Sequence, residues 1–416
     1  MVWDRRDGTA QSPFRIAMIL GALMVLALSA HAGTINVPAD QPTIQAAIDA
    51  ATAGDVINVA AGTYRENVIW DAKNLTIIGA GTGNTVLSGD TDNDGTPDGR
   101  CMTMTTLTSA SSISAFTFAD GVADATAATG ANLGGGIYMN LADVFIASCE
   151  IRDCTADNAG GGIWLYNSSD AIFDGLSIHD CSATNWGGGM YTALGPTRIT
   201  ICEINANMAN YGGGMYLAGA ATGTTVEDSY IHDNEASTDG GGVYLNDTYC
   251  TFARNIITLN LANRGGAMYL YGSSATITGN LIHHNLCNIY PAGISCLNSP
   301  ATIEGNTIAD NDDGGISNGT TIATTPLVVT NNILYGNISN DLSGTNLNST
   351  YNTIGTGTTT GTGNITSDPL FADAANGDYH IKSTQGRWSG ATFVSDLVNS
   401  PAIDAGDPAS AFANEQ

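Results

Sequence analysis

The chain has 416 residues, with 12 Lys and Arg against 39 Asp and Glu and a net charge of −27. That balance, with no lysine at all between Lys73 and Lys382, excludes nucleic-acid binding by phosphate neutralisation. An acidic exterior suits solubility, cations or neutral glycans instead.

Residues 1–32 read as a secretory leader. Arg5, Arg6 and Arg15 are basic, Ile16 to Ala30 is an apolar run of 15 residues, and Ala30-His31-Ala32 is a small-x-small cleavage site. The run is short of the about 20 residues that a membrane span needs. Its removal leaves 9 basic against 37 acidic residues, a balance of −28. The mature chain is therefore expected outside the cytoplasm, secreted or at the cell surface, without an integral membrane span and as a monomer.

Residues 40–54 read as one amphipathic helix. Pro42 suits the first turn, Ile44, Ala47, Ile48 and Ala51 share a face, and Gly54 ends it. Val56–Val59, Asn67–Ile69 and Leu75–Ile78 follow as strands. Asp90, Asp92, Asp94 and Asp98, with Gly95 among them, have the D-x-D-x-D-G-x-x-D spacing of calcium loops, although Cys101 stands where the bidentate glutamate belongs. A structural Ca2+ is one reading of this loop; a solvated acidic loop between turns is the other. Residues 105–133 look like an incomplete turn with Ile113 and Phe118 in core positions, followed by an Ala/Thr-rich insertion.

From about residue 134 to 340 the chain repeats. A glycine run ending in an aromatic recurs at Tyr138, Trp164, Tyr191, Tyr216, Tyr244 and Tyr269, with spacings of 26, 27, 25, 28 and 25 residues. The segments beginning Val144, Ala171, Thr197, Thr224, Cys250, Ala275, Ala301 and Leu327 align without gaps. Their third position is Ile, Phe or Val, their eighth is Ile151, Ile178, Ile204, Ile231, Ile257, Ile282, Ile308 and Leu334, and their eleventh is Cys154, Cys181 and then Asn throughout. An alanine column follows, from Ala156 to Ala262, with Cys287 in the next copy. Short β-branched runs at this period predict one coil of stacked strands per repeat, each column becoming a vertical file. The fold class is all-β: a right-handed parallel β-helix solenoid with an N-terminal capping helix.

Pro42-Thr-Ile-Gln-Ala-Ala-Ile48, Gly54-Asp55, Ala61-Gly-Thr-Tyr-Arg-Glu66 and Leu75-Thr-Ile-Ile-Gly79 resemble the opening of bacterial proteins with the pectin-lyase-like fold, and with the repeats the resemblance covers about 34–340. That superfamily includes lyases, hydrolases, esterases and non-enzymes, so the resemblance implies fold and not activity. Phe252-Ala-Arg-Asn255 and Gly265-Gly-Ala-Met268 resemble the repeats of chlamydial polymorphic membrane proteins. Residues 341–366, rich in Gly, Thr and Asn, read as a loop or thin last turn. Asp368–Phe371, Gly377–Ile381 and Ser400–Gly406 resemble a choice-of-anchor type of C-terminal segment. The layout is thus a leader (1–32), a β-helix (33–340) and an irregular C-terminal segment (341–416).

Cys154 and Cys181 share a column in adjacent turns, at a spacing of about 5 Å that permits a disulfide. Stacked buried thiols are the other reading. Two outward features carry the candidate chemistry. Tyr138, Trp164, Tyr191, Tyr216, Tyr244 and Tyr269 alternate with inward residues and are expected to form an external aromatic ladder, either a strip for sugar rings or simply a cover for the glycine turns. Glu150, Arg152, His179 and Glu203 lie on a second outer face. In lyases of the resembling fold a cation or arginine neutralises a uronate and a base takes the neighbouring proton, roles that Arg152 and His179 would fill; a merely polar repeat face is the alternative. Three functions stand open: a scaffold binding polysaccharide or another surface, a polysaccharide lyase or glycoside hydrolase on an acidic polysaccharide, and a structural wall or filament component. An active site usually breaks a repeat locally, and these copies are even.

Overall fold

The computed structural model describes residues 32–408 except 127–128, 220–222, 290, 320–324 and 390–391. The leader, apart from Ala32, lies outside the described residues. What is described is a parallel β-solenoid of about 12 turns. Among the described residues each turn gives one strand to a 12-stranded sheet, and the other strands form a 22-stranded and a 7-stranded sheet.

The predicted files are present. Ile151, Ile178, Ile204, Ile231, Ile257, Ile282, Ile308 and Leu334 pair one above the next in parallel register, and every one is fully buried. Ile146, Phe173, Ile199, Val226, Phe252, Ile277, Ile303 and Val329 form a second buried file. Each such side chain contributes about 1.5–3 kcal/mol by leaving water, repeated every turn. This is how a thin core holds a long chain.

The corners are held by asparagine. Asn207, Asn234, Asn260, Asn285, Asn311 and Asn337 form a buried chain in which each side-chain amide donates to the Oδ1 of the next, the last step ending on Asp341. Asn255, Asn280, Asn306, Asn332, Asn352 and Asn364 form a second such chain at another corner. The residue before each ladder position has positive φ, as at Asp233 (53°) and Arg254 (57°), which sets the bend. Cys154 and Cys181 continue the first ladder downward as buried thiols, as the second reading had it, and all eight cysteines are buried.

Several expectations change. The helix spans Ile44–Ala50 rather than 40–54. Thr43 is its N-cap and Pro42 lies outside it, while Ala51 is already extended at ψ 152°. Its ends are tied from a distance. Glu66 accepts hydrogen bonds from the N–H groups of Ile44 and Gln45 at 2.8 and 2.9 Å, and Lys73 donates to the carbonyls of Ile48 and Asp49. These are the unsatisfied groups of a short helix. The helix packs beside the first strand, Thr34–Val37, which the sequence reading left out. Residues 102–123 form a complete turn, since Met102–Ser114 pairs with the turns on either side and Ile113 and Phe118 occupy their core files. Leu342–Gly344, Leu347–Thr350 and Thr353–Ile354 extend the coil by a shortened turn. Two antiparallel hairpins follow, Phe371–Asp373 with Asp378–Ile381 and Arg387–Ser389 with Thr392–Val394. No helix among the described residues is long and apolar enough to cross a membrane.

Candidate functional site

On the outer face of the 12-stranded sheet, the strands Glu150–Arg152, Ser177–His179, Glu203–Asn205 and Tyr230–His232 lie in register. Glu150 leans one turn up and two residues along, and its Oε1 meets His179 Nε2 at 3.2 Å. The other ring nitrogen, Nδ1, faces Asp180 at 2.7 Å. Thr117 donates to Glu150 Oε2 at 2.7 Å, and Arg152 contacts Asp153 and, at 3.8 Å, Glu150. Glu203 does not join this group. It repeats the motif two turns on, with His232 Nε2 at 3.1 Å and Asp233 on His232 Nδ1 at 2.6 Å. The structure therefore unites three of the four candidates and pairs the fourth with a histidine outside the set.

Each imidazole is held between two carboxylates. Partial burial disfavours charge on His179, but the hydrogen bonds and charges of Asp180 and Glu150 outweigh it and raise its pKa above 6.5. Burial likewise opposes ionisation of Glu150, and Thr117, His179 and Arg152 overcome it, lowering its pKa. A ring with both nitrogens engaged by carboxylates is ill suited to abstract a proton, and Arg152 already faces two carboxylates. Because the folded-state pKa of His179 is raised, its pairing adds stability that is fully present below pH 6.5 and lost as the pH rises through the folded value. The stability gap between the native chain and His179→Gln should accordingly shrink from about pH 5 to about pH 9. A gap independent of pH in thermal melts would contradict the assignment.

The six ladder aromatics do point away from the core and stack, with ring centroids 4.7–6.2 Å apart. Yet all but Tyr191 are buried, at 2–8% exposure. Their faces are occupied by one another, and the flanks are covered: Arg100 lies over Tyr138, Arg264 over Tyr269, Trp186 against Tyr216 and Tyr211 edge-on to Tyr244. Burial raises the Tyr269 hydroxyl to about 12. Tyr191 alone of the ladder rings is partly exposed, and Tyr166 and Trp186, which pack against Trp164 and Tyr216, are exposed too.

In the acidic loop, carboxylate oxygens of Asp90, Asp92 and Asp98 lie within 4.8 Å of one another. Asp94 turns aside to accept from Thr96 N–H at 2.7 Å. Asp98 also accepts from Thr91 and is held below the usual carboxylate range by those bonds.

The C-terminal hairpins fold back on the coil. Tyr379, 6% exposed, donates to Asp310 Oδ2 at 2.8 Å and packs its ring on His283 at 5.0 Å. Burial and the neighbouring His284 push His283 down to about 4. Beyond the hairpins, Asp407 N–H donates to Asn331 Oδ1. Arg387 bridges Asp378 and Asp396 at 3.0 and 2.9 Å.

Residues 107–262 match the family described as right handed beta helix region. Residues 301–406, the last turns together with the docked hairpins, match a family described as disaggregatase related. Similar solved structures include a double mutant of the periplasmic alginate epimerase AlgG (TM-score 0.49, 16% identity, covering 76% of this chain and 82% of that one). Others are an alginate lyase from a Paenibacillus species (0.39, 17%, 70% and 99%) and PfbA, a surface adhesin of Streptococcus pneumoniae (0.39, 12%, 78% and 84%). No curated protein sequence is significantly similar.

The sequence reading named neither His232 nor the docked hairpins as part of a site. His232 had a signal, because His-Asp recurs at 179–180 and 232–233. The hairpins had none in the periodicity, since their contacts skip 69 residues from Asp310 to Tyr379.

Proposed function

We propose that the chain is an extracytoplasmic β-helix scaffold that binds polysaccharide. The observation that carries this reading is the mutual saturation of the outer-face groups: the Glu150, His179, Asp180 set and its copy at Glu203, His232 and Asp233 hold one another in hydrogen bonds along an unbroken repeat. A row of satisfied polar side chains on a rigid sheet is a surface for contact. The charge of −27 favours a neutral glycan over an acidic one. Retention of the purified chain on at least one neutral polysaccharide in affinity electrophoresis is the expected result; migration unchanged by every glycan tried would overturn the reading. Disaggregatase is an enzyme's name, and the match of residues 301–406 favours a second reading in which the bound glycan is also cleaved. Release of reducing ends or of unsaturated uronate during the same incubation would establish it.

The acidic loop is proposed as a structural Ca2+ site, with Asp90, Asp92 and Asp98 supplying oxygens. Millimolar Ca2+ should raise the melting temperature of the native chain over that in chelator, and Asp92→Asn with Asp98→Asn should remove the difference. Equal melting with and without Ca2+ would dismiss the site.

A further inference from the structure

A cleft of about 850 Å³ runs between the coil and the docked C-terminal segment. Its size falls in the range of ligand sites. Its floor includes Gly279 and Gly305, and its walls include Asp373, Asp378, His380 and Arg387. Gly279 and Gly305 occupy one column of corner residues, all in the left-handed region. In successive turns that column reads Asp228, Arg254, Gly279, Gly305 and Asn331, with φ of 52°, 57°, 63°, 66° and 58°. The backbone thus tolerates Asp, Arg and Asn in this conformation. No crowding forces glycine either: a Cβ at Gly305 would meet nothing within 4 Å, and one at Gly279 only Arg254 Cγ at 3.8 Å. The column's other glycines are Gly363, before Asn364 at the end of the coil, and Gly175, several turns from the cleft. In the two turns beneath the hairpins, glycine keeps side chains out of an open space.

The wall above is polar and stiff. Arg387, ion-paired to Asp378 and Asp396, is only 14% exposed at its side chain, and Tyr379 anchors the hairpin to the coil. Paired carboxylates and a guanidinium fork offer acceptors and donors at fixed spacing, the geometry that adjacent sugar hydroxyls satisfy. Two wall aspartates against one already paired arginine disfavour a polyanion. A flat floor of corner backbone leaves room for a ring.

We infer that this cleft is the binding site for a short segment of neutral polysaccharide, lying over Gly279 and Gly305 beneath the hairpin of Tyr379. The inference rests on the polysaccharide-binding reading and adds a second contact site to the outer-face row. The family match of residues 301–406 spans Gly305 on the floor and the whole wall.

The test fills the floor with residues that the column itself uses. Gly279→Asp with Gly305→Asn, and Gly175→Asp as the same change outside the cleft, are compared with the native chain by fluorescence anisotropy. The probes are labelled hexasaccharides of glucose, mannose and N-acetylglucosamine, with a galacturonate hexamer as the acidic control. The filled variant should lose at least tenfold in affinity for whichever neutral hexamer the native chain binds, and Gly175→Asp should lose none. His380→Ala, exposed on the rim at 61%, should weaken binding in the same direction and serves if the filled variant melts early. Native-like affinity in both the filled and the His380→Ala proteins would overturn the cleft while leaving the binding reading intact. A native chain that binds none of the hexamers but is retained on a long polysaccharide would do the same. Absence of all glycan binding would overturn both.

Discussion

Asn260→Ala is expected to destabilise the coil by roughly 3–5 kcal/mol, since a buried polar group left without its partner costs about 1–3 kcal/mol. The Asn260 side chain is fully buried. Its amide donates to the carbonyls of Ile231 and Thr258 and to Asn285 Oδ1, each at 3.0 Å. Its Oδ1 accepts from both the backbone N–H and the side chain of Asn234, at 3.1 and 2.9 Å. Alanine therefore strands groups in three consecutive turns. Asn207→Cys should cost on the order of 1 kcal/mol, because Cys181 and Cys154 already occupy the column below, their thiols 3.2 and 3.1 Å from the carbonyls of His179 and Arg152. Stability in a stacked coil is local to neighbouring turns. Hydrogen exchange in Asn260→Ala should thus accelerate first between about residues 230 and 290. Urea denaturation gives the magnitude, and a loss under about 1 kcal/mol for Asn260→Ala would show that the ladder is not a network under constraint.

Why some of this was legible follows from what periodicity encodes. A column in a repeat specifies which residues stand over one another, so Ile151, Ile178 and Ile204 could be placed in one internal file. Alternation placed Trp164 outside that file, between Ile163 and Leu165. The second asparagine ladder sits in the sixth position of the same alignment but was masked, because its first copies are Cys149, Leu176 and Cys202. A column does not say which way a long side chain leans. Glu203 sits above Ser177, beside the turn of His179, yet reaches His232 on the following turn. Nor does it say what covers an outward residue: Trp186, Tyr211 and Arg264, which close over the ring ladder, lie just before the glycine runs where the copies differ. The helix was misjudged at both ends for a related reason. Glu66 and Lys73, which satisfy its termini, lie on later segments of the chain.

Gly161→Ala should be among the more damaging single methyl additions in the repeat. A Cβ there would lie 2.3 Å from the carbonyl oxygen of Ser182 and 2.4 Å from that of Gly188. Both are backbone atoms of the next turn, fixed by their own hydrogen bonds, with Ser182 N–H donating to Cys154 O and Gly162 N–H to Gly188 O. Overpacking typically costs about 1–3 kcal/mol when side chains can yield, and here none is available, so about 3 kcal/mol or more is expected. The same glycine meets the next strand of the 7-stranded sheet at each copy: Gly188 meets Met208 O, Gly241 meets Leu261 O and Gly266 meets Leu286 O, all at 2.2–2.5 Å. That sheet ends at Leu286–Cys287. The next residue in this column is Ala292, paired above Gly266 through the bonds of Gly265 and Ala267 to Pro291 and Ala292. Alanine thus appears where the obstructing strand stops. Gly266→Ala should therefore fail as Gly161→Ala does, while Gly162→Ala, at a position where a later copy carries Ala267, should be milder. Melting of Gly161→Ala within about 2 °C of the native chain would mean that the turns can separate to admit a methyl group, and that close approach of backbone is not what the glycine run is for.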